Sequence, residues 1–334
     1  MSPDHQHANG EIDIASLHAQ DSTGLLARID RAVVWDIPLT TPFRGITRRD
    51  GVLLHGPGGW GEVAPFWDYG LEASAPWLAS GLCQALGNSL LPRYRETISV
   101  NVTVPEVGAQ DASDLVRASG ARTAKVKVSG SSDKRSADLE RLEAVRSALG
   151  RSGKVRIDVN GAWDLDTARE NLPLMDRAAG GLEYAEQPCA TVYDLADLRR
   201  AVDVPIAADE SIRLSANPLE IVHRRAADFA ILKVAPLGGV HRALDMAERL
   251  GLPAVVSSAL DTSVGIMAGA TLAFSLPSLS HACGLGTTRL LTQDVAEPSV
   301  RPSNGTLRLD AAAPVSERLL DEVKAGPYLT KHWQ

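Results

Sequence analysis

Five short stretches decide the fold: TAKVKV (123–128), KVRIDV (154–159), LEYAEQ (182–187), PIAADE (205–210) and FAILKV (229–234). Each is a β-branched or apolar run, and each carries an ionisable residue at or near its end: Lys127, Asp158, Glu186, Asp209 and Lys233. The interval from one of these residues to the next matches one strand plus one helix. The same rhythm extends outward to TISVNVTV (97–104) on one side, and to PAVVSS (253–258) and HACGLG (281–286) on the other. The gaps read as helices. SADLERLEAVRSAL (136–149) has apolar residues at helical spacing with Gly150 just past its end, and HRALDMAERL (241–250) is closed by Gly251. Eight strand-like runs separated by helices imply parallel βαβ units, and eight units in this length suit a closed barrel. An open doubly wound sheet usually carries a Gly-rich phosphate loop after its first strand. The sequence there is VPEVGAQDAS (104–113), which has none.

Residues 29–96 follow another pattern. RAVVWDIPL and GVLLHGP read as strands and LEASAPWLASGLCQALG as a helix, which predicts a small α+β capping domain ahead of the barrel. The barrel is expected over 97–334, with its C-terminal segment free to return to the cap. Residues 1–28 read as a polar, poorly ordered extension, in which His5 and His7 are solvated side chains and not metal ligands.

The bulk numbers narrow the function. A chain of 334 residues is long for one core and fits two domains, or a barrel with an added piece. Its 44% hydrophobic and 22% charged residues are those of an ordinary globular protein. With a net charge of −7 and Lys and Arg scattered along the chain, nucleic acid is excluded as the main partner, because phosphate binding needs clustered cations. No apolar run approaches the roughly 20 residues of a membrane span, and the acidic N-terminus has no secretory apolar segment. Cys83, Cys189 and Cys283 are odd in number, far apart and without a CxxC, so reduced cytoplasmic thiols are expected instead of a disulfide framework or zinc site. The oligomeric state is left open, with a monomer marginally favoured.

In a barrel the active site lies at the C-terminal ends of the strands. Five consecutive strands there end in cation, anion, anion, anion, cation. Three carboxylates converging in a low-dielectric mouth would repel one another, and a hard divalent cation would remove that penalty. Oxygen-only ligands suit Mg²⁺, with Mn²⁺ as a substitute, better than Zn²⁺. A lysine near such a cation and a second lysine should have its pKa lowered, which makes it usable as a base. These parts suit removal of a proton α to a carboxylate on a small-molecule substrate. Lys125 lies two residues before Lys127 and faces the same way, to tune it or to touch substrate, and Arg156 stands in the same relation to Asp158.

At these residues the chain resembles the muconate-lactonizing subgroup of the enolase superfamily. The matching motifs are KVK (125–127), RIDVNGAW (156–163), EYAEQP (183–188), ADES (208–211) and ILK (231–233). The resemblance covers nearly all of residues 29–334. It implies an α/β fold: a modified TIM barrel, (β/α)7β, with an N-terminal α+β capping domain. It also implies Asp158, Glu186 and Asp209 as Mg²⁺ ligands and Lys127 and Lys233 as the acid/base pair. Relatives of the mandelate racemase type use a late His, whereas the seventh run here ends in Ser257-Ser258. IPLTTPFRGITRRDGVLL (37–54), GWGEVAPF (59–66), SSALDTSVG (257–265) and CGLGT (283–287) resemble the actinobacterial o-succinylbenzoate synthase family. That likeness implies syn dehydration of 2-succinyl-6-hydroxy-2,4-cyclohexadiene-1-carboxylate in menaquinone biosynthesis, through an enediolate, with Lys127 as base and Lys233 as a protonated stabiliser. N-acylamino acid racemisation or dipeptide epimerisation is the alternative, since the same two lysines serve it.

Candidate substrate contacts are Ser257, Ser258, Ser263 and Gly284 for the succinyl carboxylate, with Arg44 closing from the PFRG loop and Asn160 beside Asp158. The serines could equally cap the following helix, and Arg44 could be a solvated loop residue. A Schiff-base aldolase and a metal-stabilised binding protein are further competitors.

Overall fold

The computed structural model describes residues 10–87, 91–308 and 314–334. Helix α1 (Ile14–Gln20) precedes an antiparallel meander of β1 (Arg31–Phe43), β2 (Ile46–Gly56) and β3 (Gly59–Val63), followed by α2 (Leu71–Leu86). β1 is apolar on both faces because it separates two cores. Ala32 and Val34 join Trp77 and Ala85 of α2, whereas Val33, Trp35 and Ile37 join Val295, Leu320 and Val323. α2 can lie close to β3 because glycines face each other: a Cβ on Gly61 would meet the Gly81 carbonyl oxygen at 1.9 Å. β1 and β2 are joined by Arg44 and Gly45, both at positive φ (55° and 77°), the backbone of a tight two-residue hairpin.

The barrel follows. β4 (Thr97–Ser99) leads to β5 (Val102–Val104), α3 (Ala109–Ser119), β6 (Thr123–Lys127), α4 (Arg135–Leu149), β7 (Lys154–Asp158), α5 (Leu165–Ala178), β8 (Leu182–Glu186) and α6 (Val192–Ala201). Next come β9 (Ile206–Ala208), the short α7 (Glu210–Arg213) and α8 (Glu220–His223), β10 (Phe229–Lys233), α9 (Val234–Leu237), α10 (Val240–Leu250), β11 (Ala254–Ser257) and α11 (Ser263–Ser275). β12 (Thr306–Arg308), α12 (Glu317–Val323) and α13 (Pro327–Trp333) complete the chain. Among the described residues β5 to β11 form one seven-stranded parallel sheet in sequential order. Alternation along each strand sends Ala124, Val126, Val155, Ile157 and Ala185 outward into the main core, and Lys125, Lys127, Arg156, Asp158, Tyr184 and Glu186 inward. The floor of the interior is apolar, with Tyr184, Ala207, Ile231 and Val255 packed together.

Three expectations change. The run 97–104 is two strands: β4 leaves the barrel to pair antiparallel with β12, and only β5 joins the parallel sheet. The run 281–286 touches its neighbours through single bridges, Val100–Cys283 and Ser257–Gly284, because its glycines supply little to pack. The polar 1–28 extension is packed from residue 10 onward, and residues 1–9, with His5 and His7, lie outside the described residues. Ile12 is buried and its N–H donates to Ala32 O, while Glu11 pairs with Arg31 and Lys324. Near the C-terminal end, the Ala325 N–H donates to Val34 O of β1.

Candidate active site

A cleft opens between the cap and the C-terminal ends of the strands. Its walls carry Arg44, Lys125, Lys127, Asp158, Asn160, Lys233, Ser257, Ser258 and Gly284. Glu186 and Asp209 lie just beneath, 1% and 0% exposed. Lys127 and Lys233 come from β6 and β10, with the strands that bear the acids between them.

The charges are interleaved. Lys125 Nζ donates to Asp158 Oδ2 (2.8 Å) and to Glu186 Oε1 (2.9 Å). Lys127 Nζ donates to Asp158 Oδ2 (2.6 Å) and to Asn160 Oδ1 (2.5 Å). On the far side, Lys233 Nζ donates to Asp209 Oδ2 (2.5 Å) and Arg213 Nε to Asp209 Oδ1 (3.0 Å). Burial alone would lower Lys125, but the Asp158 and Glu186 carboxylates raise it well above the usual lysine range. At Lys127 burial prevails over Asp158, and with Lys125 alongside the ammonium is lowered. Asp158 is held well below the usual carboxyl range, since Lys125, Lys127 and Lys233 overcome its burial. Glu186 goes the other way, to about 7, driven by burial and then by Asp158, with Asp209 adding to it.

Among the described residues Glu186 Oε2 is buried with no hydrogen-bond partner. Among the described residues no three acids are drawn together as a ready-made metal cage, because the ammonium groups stand between them. The donor set nonetheless fits a hard cation. It is all oxygen, one carboxylate oxygen is orphaned, and Glu186 is destabilised by its neighbouring carboxylates, a penalty that a divalent cation would remove.

The turn residues after the strands hold this row in place. Asn160 adopts φ 52°, which Asn tolerates better than most residues; its N–H donates to Asp158 Oδ1 and its Nδ2 to Glu210 Oε1. Buried Gln187 accepts from the Asp209 and Ser211 N–H groups on its Oε1, which fixes the turn that presents Asp209.

Other predicted contacts divide. Ser258 Oγ donates to Gly284 O (2.6 Å) and lies 2.8 Å from Thr287 Oγ1. Ser263 does not reach the cleft: its hydroxyl donates to Asp294 Oδ2 (2.5 Å) and accepts from the Val300 N–H. The N-cap of α11 is Thr262, so none of the three serines fills that role. Arg44 stands at the hairpin tip, 4.4 Å from the Phe66 ring. Arg156 is wholly buried and ion-paired with Glu183 (2.5 Å), an interior strut of the barrel. Phe43, whose ring centroid lies 5.3 Å from Lys127 Nζ, lines the cleft without having been read from sequence, as do Phe66, Thr103, Arg213 and Thr287. An apolar residue in a loop is indistinguishable in sequence from core. Arg213 had a usable signal, since four residues after Asp209 on a helical turn the two meet.

Residues 34–85 match the enolase N-terminal domain-like family and residues 108–314 the enolase C-terminal domain-like family. The chain is 52% identical over 295 residues to an o-succinylbenzoate synthase of Thermobifida fusca, covering 87% of this chain and 90% of that protein. It is 49% identical over 292 residues to one of Mycobacterium ulcerans, covering 87% and 88% respectively. Among solved structures, an N-succinyl Arg/Lys racemase of Bacillus cereus aligns with TM-score 0.75 at 21% identity, over 89% of this chain and 98% of that one. A muconate lactonizing enzyme of Pseudomonas fluorescens aligns with TM-score 0.72 at 22% identity, over 88% and 97%. At that distance the structural likeness speaks for the fold alone.

Proposed function

The chain belongs to the o-succinylbenzoate synthase family of the enolase superfamily, and on that premise we propose that it dehydrates 2-succinyl-6-hydroxy-2,4-cyclohexadiene-1-carboxylate to o-succinylbenzoate, a lyase step of menaquinone biosynthesis. The observation that carries the proposal is the pair of lysines, buried Lys127 and half-buried Lys233, flanking a row of carboxylates at the mouth of the barrel.

Asp158, Glu186 and Asp209 would hold Mg²⁺, with Mn²⁺ as a possible replacement. When bound, the cation supplies electrostatic stabilisation of the charge that builds on the substrate carboxylate as the α-proton leaves. Lys127 Nζ takes that proton, and its lowered pKa favours the neutral amine that a base requires. The same Nζ then returns the proton to the departing hydroxyl on the same face, so water leaves syn and the ring becomes aromatic. Lys233, held against Asp209, remains an ammonium and faces the developing charge. Phe43 and Phe66 from the cap exclude water above the lysines. The substrate's second carboxylate, on the succinyl arm, lies toward Ser257, Ser258 and Gly284. A cytoplasmic location belongs to the same proposal; among the described residues no helix is long and apolar enough to cross a membrane.

The test is conversion of the cyclohexadiene substrate, followed by its ultraviolet absorbance with the product identified by mass. Absorbance should fall to completion with enzyme and Mg²⁺ and stay constant when the metal is chelated. No loss of absorbance with metal present would refute the proposal.

A further inference from the structure

We propose that Glu62 is a positioning residue for this site: reaching across from the cap, its carboxyl group holds the N-terminus of α11 and so fixes the 257–262 wall of the cleft. This inference rests on the function proposed above only for which ligand the wall meets.

The first turn of α11 contains no acidic residue, and an apolar helix with many buried residues leaves its leading N–H groups in need of acceptors. Thr262 satisfies one of them, accepting from the Val264 N–H. Asp294 Oδ1 accepts from the Ser263 N–H (3.0 Å), and further capping comes from a residue 200 positions away. Glu62 Oε1 accepts from the Thr262 N–H (3.1 Å), and Glu62 Oε2 accepts from Thr262 Oγ1 (2.5 Å) and the Gly265 N–H (2.9 Å). A carboxyl group there also meets the positive end of the helix dipole. Gln84 of α2 reinforces the link, because its Oε1 accepts from the Glu62 N–H and its Nε2 donates to Val264 O.

The fit leaves no slack. A Cβ on Gly265 would lie 2.7 Å from Asp261 Cβ and 3.1 Å from Glu62 Oε2, so the cap reaches the helix only because residue 265 has no side chain. Residues 257–260, immediately before the capped turn, line the cleft. Behind them a small cavity is bounded by Glu62, Asp261, Lys233 and Ser257, so the same carboxyl group supports the wall beside Lys233. Removing Glu62 would release the turn while leaving Lys127, Lys233 and the acids in place.

Two measurements test this. In amide hydrogen exchange of the full chain, Glu62→Ala should speed exchange over residues 259–265 at least tenfold and leave β6 to β8 unchanged. Glu62→Gln keeps one acceptor oxygen and should fall between Ala and wild type; if Glu62→Ala does not fold, Glu62→Gln carries the test with at least threefold faster exchange over the same segment. In turnover of the cyclohexadiene substrate, Glu62→Ala should raise KM at least tenfold with kcat within threefold, and Glu62→Gln should recover most of the loss. Unchanged exchange at 259–265, acceleration spread evenly over the barrel strands, or a fall in kcat at constant KM would each overturn the assignment. If wild type fails to convert the substrate, the function proposal fails, and the exchange data still decide the role of Glu62.

Discussion

At the scale of single residues the strand-end charges were the most legible feature. Lys127, Asp158, Glu186, Asp209 and Lys233 could be located from the sequence because strand alternation and barrel geometry leave a terminal inward residue one place to go. Their mutual bonding was less legible. That Lys125 would bridge Asp158 and Glu186, and that Ser263 would turn away to Asp294, depends on distances that spacing does not encode. Asn160 gives a residue-scale prediction. Its left-handed backbone should make Asn160→Ala about 1 kcal/mol less stable than Asn160→Gly, because Ala there carries a Cβ penalty that Gly avoids. Both variants lose the bond to Lys127 Nζ and should lose activity to a similar degree. Paired chemical denaturation and rate measurements separate the two effects, and equal stability of the two variants would contradict the backbone reading.

At the scale of elements, regular βα alternation was readable and its exceptions were not. α7 and α8 are single turns where a full helix was expected, because Pro218 and the loop around it interrupt the segment. The β4–β12 pair depends on a partner some 200 residues away in sequence. α13 is another such case. Trp333 Nε1 donates to Asp50 Oδ2 (2.8 Å), the atom that also accepts from Trp67 Nε1 (2.9 Å), while His332 stacks on Trp67 at 4.1 Å. The C-terminal helix thus clasps the loop that carries Phe66 and Tyr69 over the cleft. Trp333→Phe keeps an aromatic side chain but replaces the indole by a smaller ring and removes one hydrogen bond to a carboxylate, so it should lower stability by about 1.5–3 kcal/mol in denaturant unfolding. A change under 0.3 kcal/mol would show that the clasp contributes nothing.

At the scale of the whole molecule, the division into cap and barrel was legible from the change of rhythm near residue 97, whereas the electrostatics of their interface were not. Burial, with Asp261 beside it, raises Glu62 to about 7, and buried Arg49 and half-buried Lys233 also face this group of acids. A raised carboxyl pKa means that the folded protein binds more protons than the unfolded chain. The resulting stabilisation is fully present below the ordinary value of 4.5 and is lost as pH rises through about 7. Wild type minus Glu62→Gln, compared by Tm in metal-free buffer from pH 5 to pH 8, should therefore decline across that window; Glu186 shifts in the same direction but is common to both proteins. A flat difference would contradict the assignment. On the proposed metal reading, Mg²⁺ at a hundredfold excess over its Kd should stabilise the protein by about 2.7 kcal/mol. Asp209→Asn should lose most of that gain, and a full gain in the variant would remove Asp209 from the ligand set.

On the proposed function, one lysine on the β6 side of the carboxylate row, Lys127, moves the proton. The most direct test of this claim is the initial rate of cyclohexadiene loss for Lys127→Ala at saturating Mg²⁺, beside wild type and with folding checked by circular dichroism. A positioned general base contributes about 10²–10⁴-fold, so the rate should fall by at least 10²-fold while the variant remains folded. A folded variant whose rate stays within tenfold of wild type would contradict the claim.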